Sequence, residues 1–427
     1  MPAVALGALL AATLLANAGY GRTSRETAGR AKQIEVLSLW GGSEKDAFLK
    51  VARAFTRKTG IKVRYTRSSN FDPDIRTRIA AHRLPDIVIF TRPGVLAGLA
   101  KQGLLKDLRK LGLSRSYLRA RYGSDLISLV TSRGKVYGVP AKGNSKSVVW
   151  YRPTQFQKYG LKTPKTWPEL LALTKRLKEK GQTPWTAAAK DSWTLTDWFE
   201  NVYLRAAGPV KYQRLFTGRI RFTDPSVKRA LKLMLEILSG RYLAGGVNGA
   251  LATGYIDAVG RVFGSRPTAQ LYLEGGFIGG IALRQVNTAL QPGKDIAFFP
   301  VPAISKGSDR YVVFGGDYAS AFKDNRGVRK FLQYISSPAA GKIWVSTGAV
   351  VSPNRRVRTA GYPNVLVAAE ARQIATAKVV RYDGSDLLPG VLGDDWGAVL
   401  QKIFERPAKT NALLSVFQKK AHRAFRS

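Results

Sequence analysis

Two kinds of side chain gather where this chain turns after a hydrophobic strand: aromatic plates, and charged groups able to exchange hydrogen bonds. The plates are Trp40, Trp193, Trp198, Phe277, Trp344 and Trp396. The polar set is Arg92, Lys146, Asp197, Glu274, Asp317, Arg381 and Asp383. Trp40-Gly41-Gly42 follows the apolar run Ile34 to Leu39, and Gly315-Gly316-Asp317 follows Val312 to Phe314. Glycines let a ligand approach the backbone, and a helix start beyond the turn offers free N–H donors. In open α/β sheets ligands sit beyond the carboxyl ends of strands. Stacking faces beside carboxylates and cations suit a ligand with apolar C–H faces and many hydroxyls. The segment Trp193 to Trp198 is aromatic and polar at once and completes the set.

Other chemistries fit less well. The chain has no cysteine and two histidines, His82 and His422, both in basic surroundings. Disulfides and cysteine-based zinc sites are thereby excluded, and no metal or cofactor is expected. Asp197 and Asp317 could form the carboxylate pair of a glycosidase, although no catalytic motif stands out. Arg92 and Lys146 keep an anionic ligand open, but their acidic and aromatic company favours a neutral one. Several of these residues also have plain structural readings. Trp40 suits the core of an ordinary strand-to-helix turn, Asp224 a helix cap, and Asp383 and Asp386 a cap or a partner for nearby arginines.

The elements that must position these groups are legible in outline. Ile34–Leu39 predicts a strand; Ser43 with Asp46 predicts a capping box, and Phe48, Val51, Ala52 and Phe55 mark one helical face. Ile61, Val63 and Tyr65 alternate with polar residues, Phe71 to Arg83 reads as helical, and Ile87–Phe90 gives a third strand. This βαβα order predicts a parallel α/β lobe. Gly134 to Pro140 reads as a short hairpin, Ser147–Tyr151 as a strand, and Thr166 with Glu169 as the start of a helix. A helix from Trp198 to Arg205 should end at Gly208-Pro209, and Asp224-Pro225 should open an amphipathic one.

At 427 residues the chain is long enough for two cores. Its 69 Lys and Arg against 28 Asp and Glu give a formal charge of +41. Such a surface should adhere to anionic membrane or cell-wall material. No zinc-finger, recognition-helix or arginine-rich block points to specific nucleic-acid binding. Ala3 to Ala16 is apolar but too short to span a bilayer, and Ala16-Asn17-Ala18 resembles a cleavage site. Residues 1–18 therefore read as a signal peptide and 19–33 as a flexible leader, which implies export. No cysteine follows, so attachment through an acylated cysteine is not expected.

In their joint order, several strings resemble the bacterial extracellular solute-binding proteins of ABC sugar importers, nearest to the α-glucoside branch. They are Lys146-Ser147-Val148-Val149-Trp150-Tyr151, Thr166-Trp167-Pro168-Glu169-Leu170, Thr196-Asp197-Trp198 and Phe222-Thr223-Asp224-Pro225. Gly315-Gly316-Asp317, Ser336-Ser337-Pro338-Ala339-Ala340-Gly341 and Tyr382-Asp383-Gly384-Ser385-Asp386 continue the series. The resemblance implies a two-lobed type II periplasmic-binding-protein fold, with residues 34–145 and 311–355 in one lobe and 146–310 and 356–427 in the other. It implies a monomeric, non-enzymatic receptor that closes on a sugar and delivers it to an ABC permease. The expected ligand groups are Trp40, Gly41, Gly42, Arg92, Lys146, Trp193, Asp197, Trp198, Glu274, Phe277, Gly316, Asp317, Arg381 and Asp383. An exported carbohydrate-active enzyme and a basic envelope protein are the alternatives.

Overall fold

The computed structural model describes residues 33–358 and 361–426. The expected signal peptide and nearly all of the leader lie outside the described residues. The strands are β1 (Gln33–Ser38), β2 (Lys62–Arg67), β3 (Ile87–Phe90), β4 (Thr131–Ser132), β5 (Lys135–Val136) and β6 (Val139–Ser145). They continue with β7 (Val148–Tyr151), β8 (Leu271–Leu273), β9 (Ala297–Pro300), β10 (Tyr311–Ala321) and β11 (Val379–Tyr382).

Two sheets carry two lobes. The first runs β11-β10-β3-β1-β2, and β6 also pairs with β10. Within it β1 is parallel to β2 and β3, as the βαβα order predicts, whereas β10 runs antiparallel to β3 and β6. The second sheet is antiparallel, β8-β7-β9. Around the first sheet, Val36, Phe48, Phe55, Ile89 and Phe331 belong to one buried core. Around the second, Val149, Leu170, Phe199, Met234 and Trp396 belong to another. Among the described residues no helix is long and apolar enough to cross a membrane.

The chain passes between the lobes where β6 leads into β7. Lys146 N–H donates to Val313 O at 2.8 Å. Val313 N–H in turn donates to Ser147 Oγ at 2.8 Å, and that hydroxyl donates to Asn201 Oδ1 at 2.6 Å. β10 therefore holds the crossing strand on one side and the helix Trp193–Phe216 holds it on the other. β11 hydrogen-bonds into the first sheet, while Leu392 to Phe404 downstream pack in the second core.

Two local expectations change. The helix Gly42–Thr59 is capped by Gly41 without a side-chain bond, so Ser43 and Asp46 form no capping box. Ser43 Oγ instead accepts from Gln285 Nε2 at 2.9 Å, a contact between lobes. The helix expected from Trp198 begins one turn earlier, at Trp193, and breaks as expected at Gly208 (φ 83°) before resuming at Pro209. Thr166 and Glu169 do form a capping box, and Asp224 caps its helix through Ser226 N.

Candidate functional site

A cavity of about 530 Å³ lies between the lobes. From the first lobe it is lined by Trp40, Glu44, Asp72, Arg92, Lys142 and Asp317, among others. Lys146, Trp193, Tyr255, Phe277, Ser385 and Asp386 face it from the crossing strand and the second lobe.

Three half-buried aromatics form one wall. The Trp193 ring centroid lies 5.5 Å from that of Tyr255 and 6.1 Å from that of Phe277, and the last two are 6.4 Å apart. Each comes from a different segment: the first turn of the long helix, the helix Tyr255–Phe263, and the turn after β8. Angled plates of this kind suit a ligand with several C–H faces.

The polar wall is built from three cations, each held by two carboxylates. Lys142 Nζ pairs with Glu44 and with Asp317, the latter at 3.3 Å. Lys146 Nζ pairs with Asp197 at 3.0 Å and Asp383 at 2.5 Å. Arg92 Nη1 pairs with Asp72 at 2.8 Å and Asp394 at 2.9 Å. Lys142 lies on β6 and Lys146 in the bend just past its end, four residues on, and both reach the cavity. Burial works against both ammonium charges, but Asp317 with Glu44, and Asp197 with Asp383, more than offset it and raise their pKa values.

A second layer fixes these carboxylates. Glu200 accepts from Tyr212 Oη at 2.5 Å, Gly384 N at 2.6 Å and Ser385 N at 2.9 Å, which pins the turn carrying Asp383. Asp383 accepts from Ser385 Oγ at 2.8 Å and Asp386 N at 3.1 Å, so it caps that turn as well as holding Lys146. Burial pushes Asp317 upward against the pull of Lys142. It also pushes Glu274 up to about 7, next to Asp197 and Lys146. Burial and then Asp383 raise Asp386 well above its ordinary carboxylate value.

Of the residues singled out in the sequence, Trp40, Arg92, Lys146, Trp193, Phe277, Gly316 and Asp317 line the cavity. Trp40 is only 1 % exposed, with its ring edge against Trp344 at 5.5 Å and its N–H given to Asp317. It positions a carboxylate and does not present an open stacking face. Asp197, Glu274 and Asp383 are buried behind the wall and act on the cavity through Lys146. Four residues stand apart from it. Trp198 is in the second core, 5.2 Å from Trp185, because it lies one helical position beyond Asp197 and faces inward. Arg381 donates to Pro209 O at 3.3 Å, on the face of β11 opposite to Tyr382. Gly41 packs against the Arg67 guanidinium. Gly42, at φ +48°, leaves room for Gln285 where a Cβ would lie 2.5 Å from its side chain. Trp344 and Trp396, also considered as plates, are core residues.

Sequence reading missed Glu44, Asp72, Lys142, Tyr255 and Asp394, and took Asp386 only for a cap or a partner of nearby arginines. Tyr255 lies in a glycine-rich stretch of short helices with no periodic pattern to mark it.

Comparison with known proteins agrees with this architecture. The profile of the bacterial extracellular solute-binding protein family matches residues 41–342. The osmoprotective compounds-binding protein GgtB of Synechocystis sp. is 30% identical over 367 residues, covering 85% of this chain and 86% of that protein. The alpha-glucosides-binding periplasmic protein AglE of Rhizobium meliloti is 29% identical over 378 residues, covering 85% and 81%. Both are binding proteins by name. Among solved structures, the bacterial solute receptor AcbH, described as preferring b-D-galactopyranose, superposes with a TM-score of 0.79 at 21% identity over 91% of this chain and 97% of that one. RafE in complex with raffinose gives 0.72 at 20% identity over 91% and 98%. With two lobes around a cavity, a family profile spanning most of the chain and a relative aligned along most of its length, this chain belongs to the bacterial extracellular solute-binding proteins.

Proposed function

We propose that this protein is an exported receptor for a neutral sugar, an α-glucoside of two or more units, which it delivers to an ABC import permease. The observation that carries the reading is the pairing of each of Lys142, Lys146 and Arg92 with two carboxylates beside the Trp193–Tyr255–Phe277 wall. A phosphorylated or acidic ligand would need uncommitted cations; these three are neutralised, and of the described cavity cations only the exposed Arg76 enters no ion pair. Sugar hydroxyls need both donors and acceptors, which Lys146, Asn144, Asp317, Ser385 and Asp386 supply at the cavity. The names of the two relatives, one for osmoprotective compounds and one for alpha-glucosides, support the choice of ligand class. Asp197 and Asp317 make a poor glycosidase pair, because Asp197 is fully buried against Lys146 and Asp317 is bound to Lys142 and Trp40.

A thermal-shift and calorimetric screen of neutral, acidic and phosphorylated mono-, di- and trisaccharides tests this. A saturable shift with a neutral glucoside and no hydrolysis products is expected. Preference for a sugar phosphate, or release of monosaccharide, would overturn it.

A further inference from the structure

The cavity makes no use of the chain's most unusual property, its charge. Folding intensifies that charge at the surface. Among the described residues seven carboxylates are buried against two cations, Lys142 and Arg205, so the exterior is more basic than composition alone implies. The excess is not spread evenly. Residues 406–426 contain no Asp or Glu, and residues 209–233 contain one, Asp224, committed to Ser226 as a helix cap.

These two stretches are packed together. Phe222 N–H donates to Gln418 Oε1 at 2.6 Å, the Phe222 and Phe417 rings are 4.7 Å apart, and Gly218 lies against the Phe425 ring. The loop carrying Arg219 and Arg221 therefore runs alongside the helix Thr410–Ala424. That helix buries Leu414, Phe417 and Ala421. Val416, Lys419 and Arg423, spaced i, i+3 and i+7, form the opposite, exposed stripe. Among the described residues Arg219, Arg221, Lys419 and Arg423 enter no ion pair; the neighbouring Lys420 is held by Asp395 at 2.9 Å.

We infer that this face docks the protein on an anionic lipid bilayer. Cationic side chains there gain from the surface potential of acidic headgroups. Val416, 62 % exposed at the first position of the stripe, favours a bilayer over a soluble polyanion. An apolar side chain among cations gains by entering the headgroup–acyl boundary and gains nothing on a polyphosphate chain. None of these residues lines the cavity.

The test is sedimentation of the purified protein with phosphatidylglycerol–phosphatidylcholine vesicles and with pure phosphatidylcholine vesicles. Binding to the first only, lost at high salt, is expected. Reversing four charges (Arg219→Glu, Arg221→Glu, Lys419→Glu, Arg423→Glu) should lower partitioning by at least about a hundredfold, since each basic group near such a surface contributes roughly fivefold. All four are exposed, and an unchanged melting temperature would show that the fold is retained. A control reverses four exposed cations at the end of another helix, Lys175, Arg176 and Lys178 with the following Lys180. An equal loss in the control would show that charge acts diffusely and overturn the proposal. So would vesicle binding that survives the first set, or capture by soluble polyphosphate without binding to vesicles.

Discussion

The indole N–H of Trp40 donates to Asp317 Oδ2 at 2.8 Å, joining the turn after β1 to the middle of β10, where Gly315-Gly316-Asp317 continues the strand and does not end it as the sequence suggested. Asp317 is thus held from two sides, by Trp40 and by Lys142 Nζ at 3.3 Å. Trp40→Phe keeps the ring packing against Phe48 and Trp344 but removes one donor to a buried carboxylate. A loss of about 1.5–3 kcal/mol in unfolding free energy is expected. Asp317→Ala should cost more, about 3–5 kcal/mol, because it strips Lys142 of one of its two partners. Urea unfolding measures both. Equal, negligible losses would show that this pairing does not organise the turn.

Trp193 and Trp198 separate ligand contact from core packing within one helix. Trp193 lines the cavity, with Lys146 Nζ 5.3 Å from its ring centre; Trp198 is 1 % exposed against Trp185. Trp193→Ala should weaken sugar binding about tenfold to a hundredfold with little change in melting temperature. Trp198→Ala should destabilise the protein by about 3–5 kcal/mol. Calorimetric titration beside thermal unfolding distinguishes them, and the reverse pattern would refute the placement of the wall.

These two tryptophans also show how far the sequence could be read. Strand alternation at Ile61 to Tyr65 and the Thr166–Glu169 cap are local signals, and both elements stand where those signals place them. The helix start at Trp193 has no side-chain cap, because Ser192 makes no such bond, so nothing local marks it. Once the helix begins there, Trp193 and Asp197 are i and i+4 on one face, both meeting Lys146, and Trp198 turns to the core. The pairing of Arg92 with Asp394 spans 302 positions and depends on how the lobes meet, which no local pattern encodes.

Glu370 ties the crossing strand to the helix Val365–Ala375. Its Oε1 accepts from Ser145 N at 2.8 Å, while Gly276 N donates to Ser145 O at 2.8 Å. Burial pushes its carboxyl from 4.5 up to about 8, with the Ser145 N–H and Lys142 pulling the other way. The folded state therefore binds this proton more tightly than the unfolded chain does. The associated stability is fully present below about pH 4.5 and is lost as pH rises towards about 8. Glu370→Gln keeps an acceptor for Ser145 and cannot ionise. Its melting temperature relative to the parent should rise steadily across that window. A difference independent of pH would show that Glu370 does not titrate there.

Arg92 bridges Asp72 in the first lobe and Asp394 at the start of a helix packed on the second, so it clasps the lobes together. The two halves of the clasp differ in solvation. Asp394 is 62 % exposed and Asp72 18 %, with Arg92 at 13 %. Water screens the outer pair, which should contribute no more than about 1 kcal/mol. Asp394→Asn is then expected to weaken ligand binding by at most about fivefold, mainly through faster dissociation, since it loosens the closed arrangement without touching either core. Arg92→Ala removes the partner of the half-buried Asp72 as well and leaves a void beside Gly393, which lies against the Arg92 guanidinium. It should lower both affinity and melting temperature. Stopped-flow dissociation rates for the two variants decide the matter: a slower or unchanged rate in Asp394→Asn would mean that the pair does not hold the lobes closed.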